Sequence, residues 1–204
     1  MLLGRSLKKL VVVSALAFVT LYGTYSAATR LNLNPELEIG QPIDSLDGVA
    51  VYFNGGVNNV VERNVAKDGY NLGLKYQCVE FVKRYYYEHY NHRMPDSYGH
   101  AKDFFDTKIA HGQLNPKRGL HQFTNGQGEK PKRGDILVLK PTILNRFGHV
   151  SIVASVDETL GEVEVIQQNP GPFSGSRETY RLSAAAPGSI PSFENSRVLG
   201  WLRK

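Results

Sequence analysis

Cys78, Phe81, Val82, Tyr85, Tyr86 and His89 recur at the i, i+3, i+4, i+7 spacing of a buried helical stripe. Glu80, Lys83, Arg84 and Glu88 fall off that stripe. The pattern predicts a helix that opens at Cys78 and runs to about His89 or Tyr90, closed by Asn91-His92-Arg93-Met94-Pro95. No Ser, Thr, Asp or Asn stands immediately before Gln77 to cap it. Strands are predicted over Val49–Phe53, over the apolar run Ile136–Leu139, and over Gly148–Val156 and Glu162–Asn169, the last two joined by a turn at Asp157–Gly161. A second, shorter helix is predicted over Tyr98–Ile109, with Ala101, Phe104 and Phe105 inward. Turns or loops are expected at Asn54–Asn59, Lys67–Gly73 and Lys140–Phe147. Gly112–Arg133 reads as irregular, anchored at Phe123–Gly126, and the proline-interrupted Arg30–Pro42 as a tether.

The first thirty residues have a different pattern. A short basic segment, Met1–Lys9, precedes the apolar run Leu10–Val19, and no charged residue occurs between Lys9 and Arg30. That is the form of a signal peptide, with small residues at Ser26-Ala27-Ala28 for cleavage; it is also long enough to span a bilayer. Both fates stay open. Basic residues ahead of the apolar run place the bulk of the chain outside the cytoplasm, in the cell envelope, anchored in the inner membrane or secreted. The formal charge of +5 owes three of its positive charges to this segment; without residues 1–28 the balance is 21 basic to 19 acidic residues. A nucleic-acid partner is therefore not indicated. The remaining composition is that of one ordinary globular domain, expected to be a monomer over residues 45–204, after a segment 1–30 and a linker 31–44.

Export gives the single cysteine its interest. Cys78 cannot form an internal disulfide, and a free thiol in an oxidising compartment is buried, paired between chains or used in chemistry. At a helix N-terminus the unpaired N–H groups favour thiolate over thiol. They also suit an oxyanion: the Cys78 N–H could receive one, with the Gln77 side chain as a second donor. The hairpin supplies partners. Taken as symmetric about Thr159, it opposes His149 to Asn169, Ser151 to Gln167 and Val153 to Val165 on one face, so Asn169, or Gln167 on a two-residue shift, could hold the His149 ring. A thiol, a histidine base and an orienting amide are the parts of a papain-type cysteine hydrolase. His89 and His92 lack further ligands for a metal, and Asp44, Asp47 and Asp68 lack the spacing of a calcium loop. No metal and no cofactor is called for.

Gln77-Cys78-Val79-Glu80-Phe81, Pro131-x-x-Gly134-Asp135-Ile136, Gly148-His149-Val150-Ser151-Ile152-Val153, Gln168-Asn169 and Val198-Leu199-Gly200-Trp201 occur in this order. Together they resemble the CHAP family of cysteine, histidine-dependent amidohydrolases and peptidases, over roughly residues 45–203. The chain is also similar to the amidase domain of glutathionylspermidine synthetase/amidase, including its Phe123–Gly126 segment. The resemblance implies a papain-like (NlpC/P60-like) α+β fold, a nucleophile helix packed on an antiparallel sheet, with Cys78 as nucleophile and His149 as base. It also implies a departure: Gln167 stands where the family often has an acid, while Asn169 is kept. The expected function is cysteine-dependent cleavage of an amide bond, in peptidoglycan or another amide-containing substrate, through a thioester. The alternatives are a glutathionylspermidine-type amidase and a noncatalytic envelope-binding module of the same fold.

Overall fold

The computed structural model describes residues 2–143, 145–183 and 190–204. Met1, at the head of the basic segment, and Leu144, within the expected loop Lys140–Phe147, lie outside them. Helix α1, Leu2–Arg30, contains Leu7–Arg30, the one stretch among the described residues long and apolar enough to cross a membrane; a signal sequence passes the same test. None of that span is buried against the rest of the chain.

The body is a seven-stranded antiparallel sheet with one long helix against it, an α+β arrangement. Its strands begin after two small hairpins, β1 (Pro42–Leu46) with β2 (Val49–Tyr52) and β3 (Arg63–Val65) with β4 (Asn71–Leu74). The long helix, α2, is Cys78–Tyr90, closed by Asn91 in the left-handed conformation at φ 47°. The sheet strands are β5 (Leu114–Asn115), β6 (Leu120–Thr124), β7 (Ile136–Leu139), β8 (His149–Asp157), β9 (Glu162–Ile166), β10 (Arg177–Arg181) and β11 (Val198–Arg203). Their order is β10-β9-β8-β7-β11-β6-β5.

Period-two alternation gives this sheet two apolar faces. Val150, Ile152 and Ile166 share a core with Phe81, Val82, Tyr85 and Tyr86 of α2. Val153, Val163 and Val165 face the other way, onto Tyr180, Phe193 and Trp201. Phe81 and Val82 are fully buried, a contribution of about 1.5–3 kcal/mol each.

The fold differs from the sequence expectation in several places. Glu80, Lys83 and Arg84 lie off the apolar stripe yet are buried, because the two small hairpins cover that flank of α2. Arg84 donates to Glu80 Oε1 (2.7 Å) and to the Ala50 carbonyl of β2 (2.8 Å), and Lys83 donates to the carbonyls of Asn71 and Ser97. The span Gly112–Arg133, expected to be irregular, supplies β5 and β6, with β6 paired to β11. Only Ala101–Phe104 of the expected second helix winds, as a single 3₁₀ turn; Ala101 and Phe104 are buried as expected. The segment expected to be a tether is tied down, with Asn34 Nδ2 donating to Pro172 O (3.2 Å), Gly40 N to Phe53 O (2.8 Å) and Phe53 N to Gln41 O (2.9 Å).

Candidate active site

Tyr76 turns the chain at φ 64°, and Gln77 follows as an extended N-cap without a side-chain capping bond. The first N–H groups of α2 therefore need other acceptors. The N–H groups of Val79, of Cys78 itself and of Val150 act on the Cys78 sulfur in favour of the thiolate. That third donor is free for a reason of topology. β9 stops at Ile166, opposite Ile152, so the first residues of β8, paired to β7 on one side, have no strand on the other. Val153 donates to Asp135 on the β7 side, and by alternation the Val150 N–H points to the vacant β9 side. The Cys78 sulfur is within reach of that N–H, one residue along from His149.

Burial decides the state of this thiol. Although Cys78 is at a helix N-terminus, desolvation pushes it up to about 11, outweighing the three backbone N–H groups that act in the opposite direction. Cys78 is half-buried, and the shift runs opposite to the depression expected from the helix end.

His149 is buried, and desolvation lowers it to about 4; its bond to Gln167 and the charge of Glu178 act upward, Arg197 downward. The ring is neutral at physiological pH. His149 Nε2 lies 2.9 Å from Gln167 Oε1, and Gln167 Nε2 donates to Glu178 Oε2 at 3.2 Å. With the amide's N–H group spent on Glu178, its oxygen faces the ring, so Nε2 carries the proton and Nδ1 the lone pair.

Asn169 does something other than expected. The β8–β9 ladder forms the Val153–Val165 pair but ends before the Ser151–Gln167 and His149–Asn169 pairs. At φ 59°, Asn169 leaves the extended conformation and turns its side chain away from the hairpin. Its Nδ2 donates to Gln77 Oε1 (2.8 Å) and to Val57 O (2.9 Å). Gln77 in turn donates from Nε2 to Asn59 O (2.7 Å), which leaves one amide hydrogen for another acceptor. Asn169 thus holds Gln77, and Gln167 holds His149.

Two residues absent from the candidate set complete the helix side. Gln168, fully buried, accepts from Tyr52 N (2.8 Å) and donates to Gln77 O (3.0 Å) and Glu80 Oε2 (2.8 Å). Glu80 also accepts from Arg84 and Asn64. The signal in the sequence was the i, i+4 spacing of Glu80 and Arg84. His89 stacks on Tyr85, while His92 bonds to Arg118 O (2.8 Å), so the two histidines are engaged separately. Among the described residues no three His, Cys, Asp or Glu side chains converge as a metal site.

The CHAP domain family model matches residues 67–169, a span that contains Cys78, His149, Gln167 and Asn169. The chain belongs to the CHAP family. Two curated relatives are the bifunctional glutathionylspermidine synthetase/amidases of Escherichia coli (strain K12) and Shigella flexneri. Each is 27% identical over 155 residues, covering 71% of this chain and 24% of the relative. The chain therefore spans about a quarter of the length of the curated relatives it matches. Among solved structures, the wild-type endolysin LysIME-EF1 is matched at 20% identity and a TM-score of 0.38, over 72% of this chain and 60% of that one. CHAP membership together with the amidase relatives supports a hydrolase of amidase or peptidase type.

Proposed function

We propose that this CHAP protein is an exported or membrane-anchored cysteine amidohydrolase that cleaves an amide bond in peptidoglycan. The observation that carries the proposal is the CHAP match over a span in which the sulfur of Cys78, at the start of α2, feels the N–H of Val150, the residue after a buried His149 whose Nε2 is engaged by Gln167. His149 Nδ1 takes the thiol proton as the sulfur attacks the amide carbon, and the carbonyl oxygen becomes an oxyanion. The Cys78 N–H and the remaining Gln77 amide hydrogen are its donors. The imidazolium returns the proton to the departing amine, which leaves a thioester on Cys78. Water, deprotonated by His149, then attacks the thioester, releasing the carboxylic acid and restoring the thiol. Because the resting pair is neutral, proton transfer accompanies attack.

The peptidoglycan assignment rests on the Leu7–Arg30 segment, which, as signal or anchor, would deliver residues 45–204 to the cell envelope. Purified sacculi incubated with the wild-type domain should release soluble wall fragments, identified by mass spectrometry, and the Cys78→Ala domain should release none while unfolding at the same temperature. Equal release by both would overturn the proposal; binding to sacculi without release by either would identify a noncatalytic envelope-binding module. A second reading, amidase action on a glutathionylspermidine-type conjugate, is favoured by the 27% identity to the curated amidases. Release of spermidine from the conjugate, with intact sacculi untouched, would select it.

A further inference from the structure

The His149 ring is held by an amide, and an amide is ambiguous. Gln167 can present either its oxygen or its NH₂ to the ring after a half-turn about its last torsion, with little change in shape. The two orientations have opposite consequences. An oxygen facing Nε2 keeps the proton there and leaves Nδ1 as the acceptor; an NH₂ facing Nε2 makes that nitrogen the acceptor and moves the proton to Nδ1. A base protonated on Nδ1 cannot take a proton from Cys78 through that nitrogen. A carboxylate at position 167 would have no such ambiguity, since it only accepts.

The group that selects between the orientations lies one strand farther out. Gln167 follows the end of β9, and Glu178 lies on β10, in register with Val165. Glu178, two residues before Tyr180, the buried residue of β10, accepts at Oε2 from Gln167 Nε2 at 3.2 Å. Gln167 is buried, whereas Glu178 is exposed. We propose that Glu178 is a positioning residue that, by accepting only, fixes the Gln167 amide with its oxygen toward His149 and so sets the tautomer of the base. The acidic function that position 167 lacks is supplied at one remove. Besides Gln167 and Glu178, the group that bears on His149 is the Arg197 guanidinium, before β11, which forms no hydrogen bond to the Gln167 amide.

This inference rests on the hydrolase assignment for activity, and on the tautomer alone for its independent readout. Long-range ¹H–¹⁵N spectra of the full-length protein report which ring nitrogen of His149 is protonated. The wild type should show the Nε2–H form, Glu178→Gln should retain most of it, and Glu178→Lys, which offers a donor, should shift the ring toward Nδ1–H. In the same order kcat should fall, by roughly tenfold or more for Glu178→Lys, with KM unchanged, because the base and not the binding surface is altered. Gln167→Glu fixes an acceptor on the ring directly, so kcat in that background should be insensitive to Glu178→Lys. If Glu178→Lys leaves the His149 tautomer as in the wild type, the proposal is overturned whatever the activity. A tautomer shift in a protein that cleaves no amide, wild type included, would uphold the positioning role and reject the hydrolase assignment.

Discussion

The two sides of the candidate site hold their side chains by different mechanical means. On the helix side, Gln77, Gln168, Glu80, Arg84 and Asn169 form a closed network, with Gln168, Glu80 and Arg84 buried and bonded back to the domain's own backbone at Tyr52 and Ala50. On the hairpin side, His149 and Gln167 form an open line that ends on the exposed carboxylate of Glu178. A closed buried network is costly to breach, since each member left without its partner keeps its desolvation penalty. A line that ends in water can lose its last member cheaply. The helix side should therefore govern whether the nucleophile and oxyanion donors are in place, and the hairpin side the protonation state of the base. The two functions should fail separately.

Breaching the closed side gives the largest effect. Glu80→Ala leaves the buried Arg84 guanidinium without its carboxylate and should destabilise the domain by about 3–5 kcal/mol in urea unfolding. Glu178→Ala, the equivalent cut on the open side, should change stability by less than about 0.5 kcal/mol. Similar losses from both would erase the distinction.

The second effect separates the two sides by pH. His149 has its pKa lowered from 6.5 to about 4 by burial, so the unfolded chain takes up this proton first as the pH drops. Its contribution to stability is complete above about pH 6.5 and is lost as the pH falls to about 4, by about 3 kcal/mol in all. Unfolding free energies measured at intervals from pH 7 to pH 4 should show this loss in the wild type and not in His149→Gln. The same protonation should set the acid limb of kcat/KM near pH 4, since only the neutral ring accepts the thiol proton.

Smaller effects concern the amides. Gln77→Ala removes a proposed oxyanion donor and should lower kcat by roughly 10²-fold. Asn169→Ala removes only the residue that holds Gln77 and should cost about tenfold, with the His149 tautomer unchanged. A changed tautomer in Asn169→Ala would return Asn169 to the role of ring holder.

The elements flanking the site were legible in the chain because a strong period marks them: the α2 stripe, the apolar run of β7 and the alternation of β8 and β9. The rest escaped for identifiable reasons. In β6, Gln122 is fully buried because its side chain bonds to Asp106 and Asn115, so burial there follows no hydrophobic pattern. β10 is an edge strand in which only Tyr180 is buried, leaving Arg177-Glu178-Thr179 without alternation. The buried charges of α2 depend on hairpins distant in sequence. Both candidate partners of His149 came from the hairpin, but the choice of Gln167 over Asn169 turned on φ at Asn169, a backbone choice that spacing does not encode.

Cys78 as nucleophile is the central claim, and an acyl adduct on it is its most direct consequence. Acid-quenched reactions with sacculus-derived peptides, followed by intact-mass and peptide-level mass spectrometry, should show wild-type protein transiently carrying the acyl fragment as a thioester on Cys78. The adduct should disappear on treatment with hydroxylamine and be absent from Cys78→Ala. Turnover of the same peptides by Cys78→Ala at the wild-type rate, or an adduct on a residue other than Cys78, would contradict it.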